Sequence, residues 1–450
     1  MPGENTIMKE RAGLPRRLLL LLTARTYRAP AFIEAAERLG IEVVKGISMH
    51  HQLADYWRYP LALDYDDLEA SVAAIVDYNR RSPLGAIIAV DDSGALVAAA
   101  ASKALGLAHN SPDSAAAARD KHLMRQLLQR GRVPAPRSRL FTFEGPDRSQ
   151  FLARLAQEIA YPCVLKPLNL NGSRGVIRAD DEGQFLAAGL RLSRLLDGRE
   201  ADQVQPSFLV EQYIPGREVA VEGLLTAGRL KILALFDKPD PLEGPYFEET
   251  IYVTPSRLPA RSQEAIRRTT AQAAAALGLR EGPVHAELRL NESGPWVIEL
   301  AGRSIGGLCS QTLRFGAGLS LEEMIVRQAF GLDVSHLERE SGARGVMMIP
   351  IPEAGLLKGV HGCDEAASLP NIEGVEITAR LNNRLVPLPE GDSYLGFIFA
   401  QGPAPDVVEA ALRAAHQRIS FDIIPELPMV TRDFALASPE SESFAGPKQV

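Results

Sequence analysis

Two glutamates on either side of a short chain reversal carry the first chemical signal. In HAELRLNESGPWVIELAGRSIGG, residues 285–307, His285, Glu287 and Arg289 alternate with Ala286, Leu288 and Leu290, the period of a half-buried strand. Trp296, Ile298 and Leu300 form the bulky apolar set of a second strand, with Val297, Glu299, Ala301 and Arg303 on its other side, and NESGP between them is turn-forming. Setting Leu290 opposite Trp296 and Leu288 opposite Ile298 brings Glu287 against Glu299. Opposed carboxylates repel and call for a cation between them. Hard oxygen donors suit Mg2+, which ATP-using sites commonly hold with one or two carboxylates and phosphate oxygens. A solvated acidic hairpin has the same pattern, so other stretches decide the matter.

Several of them carry groups suited to anions. Lys121 lies in DKHLM, within a helix expected over 115–129, and Lys166 sits close to the end of a short strand, YPCVLKP. Directly downstream, Asn171-Gly172-Ser173-Arg174-Gly175-Val176 is a turn able to present backbone N–H groups to an anion. The strand Phe208-Leu209-Val210 runs into Glu211-Gln212-Tyr213-Ile214, with Glu218 following, and an irregular stretch over 237–255 carries Glu248 and Glu249.

The elements that must hold these residues divide into α/β and α+β parts. Over 16–110, continuous apolar strands alternate with helices, which predicts an open parallel sheet with helices on both faces. No Gly-x-Gly-x-x-Gly follows its first strand, and the loop Thr23–Arg28 is placed by topology to line a ligand crevice. Residues 111–206 and 207–340 read as two α+β units, and 341–450 as a separate α+β extension with strands at VMMIPI, VEITA and YLGFIFA and a helix over 405–418. Residues 1–15, the 197–206 loop and the tail after about 434 are polar and expected to be loose.

Composition bounds the function. The 450 residues are 46% hydrophobic and 23% charged with a net charge of -7, a soluble globular balance that argues against nucleic-acid or anionic-membrane partners. The run Leu18–Leu22 is too short for a signal peptide or a membrane span. Cys163, Cys309 and Cys363 are scattered thiols without a CxxC pair. Together these features lead us to expect a cytoplasmic protein without structural zinc.

In combination and in this order, the motifs resemble the ATP-grasp superfamily, over most of the chain, and most closely its carboxylate-amine ligases of the bacilysin-synthetase and carnosine-synthase type. The resemblance implies an ATP-grasp fold with two ATP-clamping subdomains, ATP and Mg2+ (or Mn2+) as cofactors, and amide-bond formation between a small-molecule carboxylate and an amine through an acyl phosphate. It implies that Lys121 and Lys166 bind phosphates, and that the loop with Gly172, Ser173, Arg174 and Gly175 folds over them, Arg174 reaching the γ-phosphate. Glu211, Gln212, Tyr213 and Ile214 would read adenine, the Glu211 carboxylate taking its amino group, and Glu218 would bind the ribose. Glu287 and Glu299 would hold the metal, with Ala301 where the wider superfamily often has Asn. Arg303 would steady the reacting carboxylate beside Gly306, with Glu249 and His285 toward substrate. The same resemblance leaves open a homodimer, a bicarbonate- or formate-using enzyme, and a nucleotide-binding protein without turnover.

Overall fold

The structure is a computed structural model that describes residues 15–425 except 25, 50, 58, 146 and 198–205. Nearly all of the segments expected to be loose therefore lie outside the described residues. The N-terminal unit is a four-stranded parallel sheet in the order Leu61–Leu63, Glu42–Ser48, Arg17–Thr23, Ala86–Ala89. Its leucine run is continuous because both faces are covered: Leu18, Leu20 and Leu22 pack with Phe32 and Ala36 of the helix Ala29–Arg38, whereas Leu19 and Leu21 pack with Ile75 and Val97 of the helices Leu68–Arg81 and Ala95–Leu105. The carboxyl ends of Arg17–Thr23 and Ala86–Ala89 deliver the loops Thr23–Arg28 and Asp91–Ser93 toward the middle of the molecule.

The single helix expected over 115–129 is two helices, Pro112–Arg119 and Lys121–Arg130. Asp120 leaves helical geometry and caps the second, its carboxylate accepting from the Leu123 N–H at 2.9 Å. The alanine-rich flanks mask this break, which puts Lys121 on a first helical turn. The following unit is a four-stranded antiparallel sheet in the order Ser138–Thr142, Ser207–Gln212, Cys163–Pro167, Ile177–Ala179, backed by the helices Arg148–Ala156 and Glu182–Asp197.

An eight-stranded sheet makes the rest of the frame: Gly294–Ala301, Gly282–Asn291, Arg217–Thr226, Arg229–Asp237, Ile251–Thr254, Ala343–Ile349, Gly396–Gly402, Ile372–Ile377. The last three strands belong to the stretch read from the sequence as separate, so the boundary at 340 divides the chain but not the sheet. At the hairpin, Glu287 pairs with Glu299 as expected, but the register beyond them shifts. Leu288 faces Val297 and Arg289 faces Trp296, because a bulge falls between Glu287 and Leu288. The bulge sends Val297 and Leu300 into the core with Ala286 and Leu288, against the helix Ala260–Ala276, and leaves Ile298 on the cavity side. The expected pairing of Leu288 with Ile298 and Leu290 with Trp296 is thereby corrected. Among the described residues, no helix is long and apolar enough to cross a membrane.

Candidate active site

A cavity of about 490 Å3 opens where the N-terminal unit, the four-stranded antiparallel unit and the eight-stranded sheet meet. Its walls include Lys121, Lys166, Gly172, Ser173, Arg174, Glu211, Gln212, Tyr213, Ile214, Glu218, Glu249, His285, Glu287, Glu299, Arg303 and Gly306. Gly175 is the exception among the residues proposed from sequence. It is buried, with φ +71°, packs on Pro167 and Leu192, and donates its N–H to the Pro389 carbonyl at 2.8 Å. It shapes the loop rather than the cavity lining.

Two lysines arrive from different directions. Lys121 reaches the Leu170 carbonyl at 2.8 Å and Glu299 at 3.2 Å. Lys166, from the strand Cys163–Pro167, lies 3.0 Å from Glu211. The Glu211 carboxylate is almost fully buried and is also gripped by Arg125 at 2.8 and 3.1 Å. Burial opposes its ionisation, yet Arg125 and Lys166 outweigh that and hold its pKa down to about 2. In the structure this side chain lines the cavity and anchors Lys166 and Arg125. In the neighbouring backbone, the Gln212 and Tyr213 N–H groups already donate to Arg137 and Pro162, whereas the Ile214 N–H has no partner among the described residues. Arg289, which the sequence placed on this face without a role, stacks over Tyr213 and donates to Glu218 and the Ile214 carbonyl, each at 2.9 Å.

Glu287 and Glu299 face each other across the hairpin, but their side chains meet different cations, Lys238 and Lys121. Glu218, Glu249 and Glu287 bring oxygens within 4.8 Å of one another, and Lys238 sits among them, 2.9 Å from Glu218, 3.3 Å from Glu287 and bonded to Glu249. Sequence reading passed over Lys238, although FDKP repeats the strand-Lys-Pro signal of VLKP that drew attention to Lys166. Burial and the neighbouring Glu287 charge push the Glu249 carboxyl up to about 7 despite Lys238. Glu287 itself is held well below the ordinary range, since Lys238 and His285 overcome its burial. His285 hydrogen-bonds Glu222 at 3.1 Å; burial opposes its charge, but Glu222 and Glu287 raise its pKa to about 9. The carboxylate oxygens of Glu287 and Glu299, beside those of Glu218 and Glu249, are hard donors of the kind that suit a divalent oxygen-seeking cation.

Arg303 pairs not with the hairpin glutamates but with Asp92 of the N-terminal unit, Nε to Oδ2 at 2.6 Å. Asp92 also accepts from Asn171 at 2.9 Å, and Arg28 of the first-strand loop donates to Ser304 at 2.5 Å. The topological expectation for Thr23–Arg28 is met, since Thr23, Thr26, Tyr27 and Arg28 line the cavity. Asp92 was missed, though it follows the neighbouring strand of the same sheet and obeys the same crevice rule. The 171–176 turn is held from a third side: Arg174 lies 3.5 Å from Asp392, and Arg191, from the helix behind the turn, forms a two-pronged ion pair with Glu390.

Comparison with known proteins agrees with this arrangement. Residues 33–109 match an ATP-grasp N-terminal domain, 159–312 an ATP-grasp domain, and 347–423 the L-amino acid ligase C-terminal domain 2. Alanine--anticapsin ligase of Bacillus subtilis (strain 168) is 25% identical over 356 residues, 71% of this chain and 73% of that protein. Carnosine synthase 1 of Gallus gallus is 31% identical over 185 residues, 39% of this chain and 20% of its own. The crystal structure of L-amino acid ligase from Bacillus licheniformis superposes with a TM-score of 0.74 at 24% identity, covering 92% of this chain and all of that one, which establishes the shared fold. In chain order around one cleft, the chain thus carries an ATP-grasp N-terminal domain, an ATP-grasp domain and the C-terminal domain 2 of L-amino acid ligases.

Proposed function

We propose that the protein is an ATP-dependent carboxylate-amine ligase that joins an amino acid, or a similar small carboxylate, to an amine with release of ADP and phosphate. The observation that carries this reading is the convergence in one cavity of two lysines, the in-register Glu287 and Glu299, and Arg303, each delivered by a different element. Lys121 and Lys166 bind the triphosphate, Lys166 being aimed by the fixed Glu211 carboxylate. The Ile214 N–H reads the adenine edge, and Glu218 binds the ribose. Mg2+, held by Glu287 and Glu299, supplies charge neutralisation to the phosphates when bound.

The substrate carboxylate attacks the γ-phosphorus, ADP departs, and the acyl phosphate rests against the Arg303 guanidinium, which Asp92 orients. The amine nitrogen then attacks the carbonyl carbon. As the C–N bond forms, the C–O bond breaks and phosphate leaves with that electron pair and the amine proton. Glu249, released from Lys238, binds a substrate ammonium, and the 171–176 turn keeps water from the mixed anhydride. Incubation with ATP, Mg2+ and pools of amino acids, followed by phosphate release and mass spectrometry, tests this. Phosphate with a new amide is expected; phosphate released only with bicarbonate or formate, or none at all, rejects it.

A further inference from the structure

Five aromatic rings line the cavity, and three of them already have partners. The Arg289 guanidinium lies over Tyr213 and Phe247, at 5.2 and 5.4 Å from the ring centres. Lys238 lies 4.9 Å over Tyr252, whose hydroxyl donates to Glu249 at 2.7 Å. Tyr27 and Tyr394 are different: among the described residues, no cation lies over either ring and neither hydroxyl has a hydrogen bond. Both instead lean on the buried ring of Phe397, each with its centre 6.3 Å away and its plane tilted by 55°. Met348, which pairs with Phe397 across two strands, lines the cavity beside them. The Cys309 thiol, also on the wall, is within electrostatic reach of both tyrosine hydroxyls. This end of the cavity adjoins the groups assigned to the reacting acid. Arg28, next to Tyr27, donates to Ser304, next to Arg303, and Tyr394 is within electrostatic reach of Glu249.

Rings without a partner on a cavity wall favour another ring, in edge-to-face or offset contact, over an aliphatic chain of similar size. Thioether and thiol sulfurs add favourable contacts at a ring edge. We propose that Tyr27 and Tyr394 form the subsite for the side chain of the carboxylate substrate, and that they select an acid carrying an aromatic ring. With its carboxylate at Arg303 and an ammonium at Glu249, such an acid lays its ring against the two tyrosines and the sulfurs of Met348 and Cys309. Tyr27 comes from the N-terminal unit and Tyr394 from the segment leading into the strand Gly396–Gly402, so this selectivity exists only where the two parts of the chain meet. The inference rests on the ligase reading and adds the class of the activated acid.

The test replaces the amine by hydroxylamine, whose nitrogen attacks the acyl phosphate carbonyl as phosphate leaves, so that the hydroxamate formed reports the acid alone. Wild type is expected to use phenylalanine with a kcat/KM at least about tenfold above alanine and about threefold above leucine. Tyr27→Ala and Tyr394→Ala are each expected to lower the phenylalanine-to-alanine ratio about tenfold, with KM for ATP within about twofold, whereas Tyr27→Phe and Tyr394→Phe keep the ring and the ratio. Because Tyr27 is 49% exposed, Tyr27→Ala remains informative even where Tyr394→Ala fails to fold. A wild type that favours alanine or leucine over phenylalanine, or a ratio unchanged in the alanine variants, overturns the proposal. Where no acid yields hydroxamate with wild type, the ligase reading falls on its own, and calorimetric titration with L-phenylalanine in the presence of ADP and Mg2+ reads the subsite directly. Binding by wild type that is lost in Tyr27→Ala supports the subsite; no binding by wild type, or identical isotherms, overturns it.

Discussion

With its ammonium among Glu218, Glu249 and Glu287, Lys238 occupies the position for which a metal or a substrate ammonium would compete. Lys238→Met takes the shared ammonium from three largely buried carboxylates, leaving Glu218 to Arg289 and Glu287 to His285, and breaking a buried ion pair from one side costs about 3–5 kcal/mol. Urea unfolding at pH 8 is expected to report a loss of that order, part of it regained on adding Mg2+; an unchanged midpoint would contradict the balancing role. Glu249 gives the pH dependence. Its folded pKa of about 7 lies above its ordinary value of 4.5, so the stability it contributes is present below pH 4.5 and is lost as pH rises through about 7. Wild type is therefore expected to lose stability relative to Glu249→Gln between pH 5 and pH 8, and two parallel unfolding curves would refute the shift. Arg303→Lys keeps a charge but loses the fork, and is expected to lower turnover at least about tenfold with little change in ATP affinity. Steady-state kinetics beside nucleotide titration checks this, and equal losses in both would contradict it.

Among the elements, the 171–176 turn is the one most dependent on its surroundings. It is tied directly to the C-terminal part of the chain by Pro389 and Asp392 and to the N-terminal unit by Asp92, while Glu390 clamps Arg191 of the helix behind it. Removing that clamp by Glu390→Ala is expected to let the turn open between the two chemical steps, so that more phosphate is released per amide formed. The ratio of the two products measures it, and an unaltered ratio would show that the clamp is idle. How much of this was legible in the sequence varies with the kind of signal. The period-two alternation around Glu287 and Glu299 placed both correctly, because a slip of one residue would have turned the core set outward. The bulge beside them left no mark, since VIEL contains no glycine and is apolar on either face. The break at Asp120 was hidden by helix-forming neighbours, although aspartate is a strong capping residue. Gly175 was assigned to the ligand because a local motif does not reveal which neighbour a buried group already serves.

At the scale of the molecule, the cleft exists only where three units meet, so its long-range partners could not be read from any one stretch. Asp92 to Arg303 and Arg28 to Ser304 join the parallel sheet to the hairpin, and Glu211 to Arg125 joins a strand to a distant helix. The parallel sheet was legible from its apolar strands alternating with helices, but the continuity of the eight-stranded sheet across residue 340 was not, because pairing between strands distant in sequence has no local signature. The proposed reaction depends on phosphorylation of the carboxylate in this cleft before the amine attacks. Turnover with an amino acid whose carboxylate carries oxygen-18 reads it most directly. One labelled oxygen is expected in the released phosphate for each amide formed; labelled oxygen absent from phosphate, or AMP in place of ADP, would contradict activation by phosphorylation.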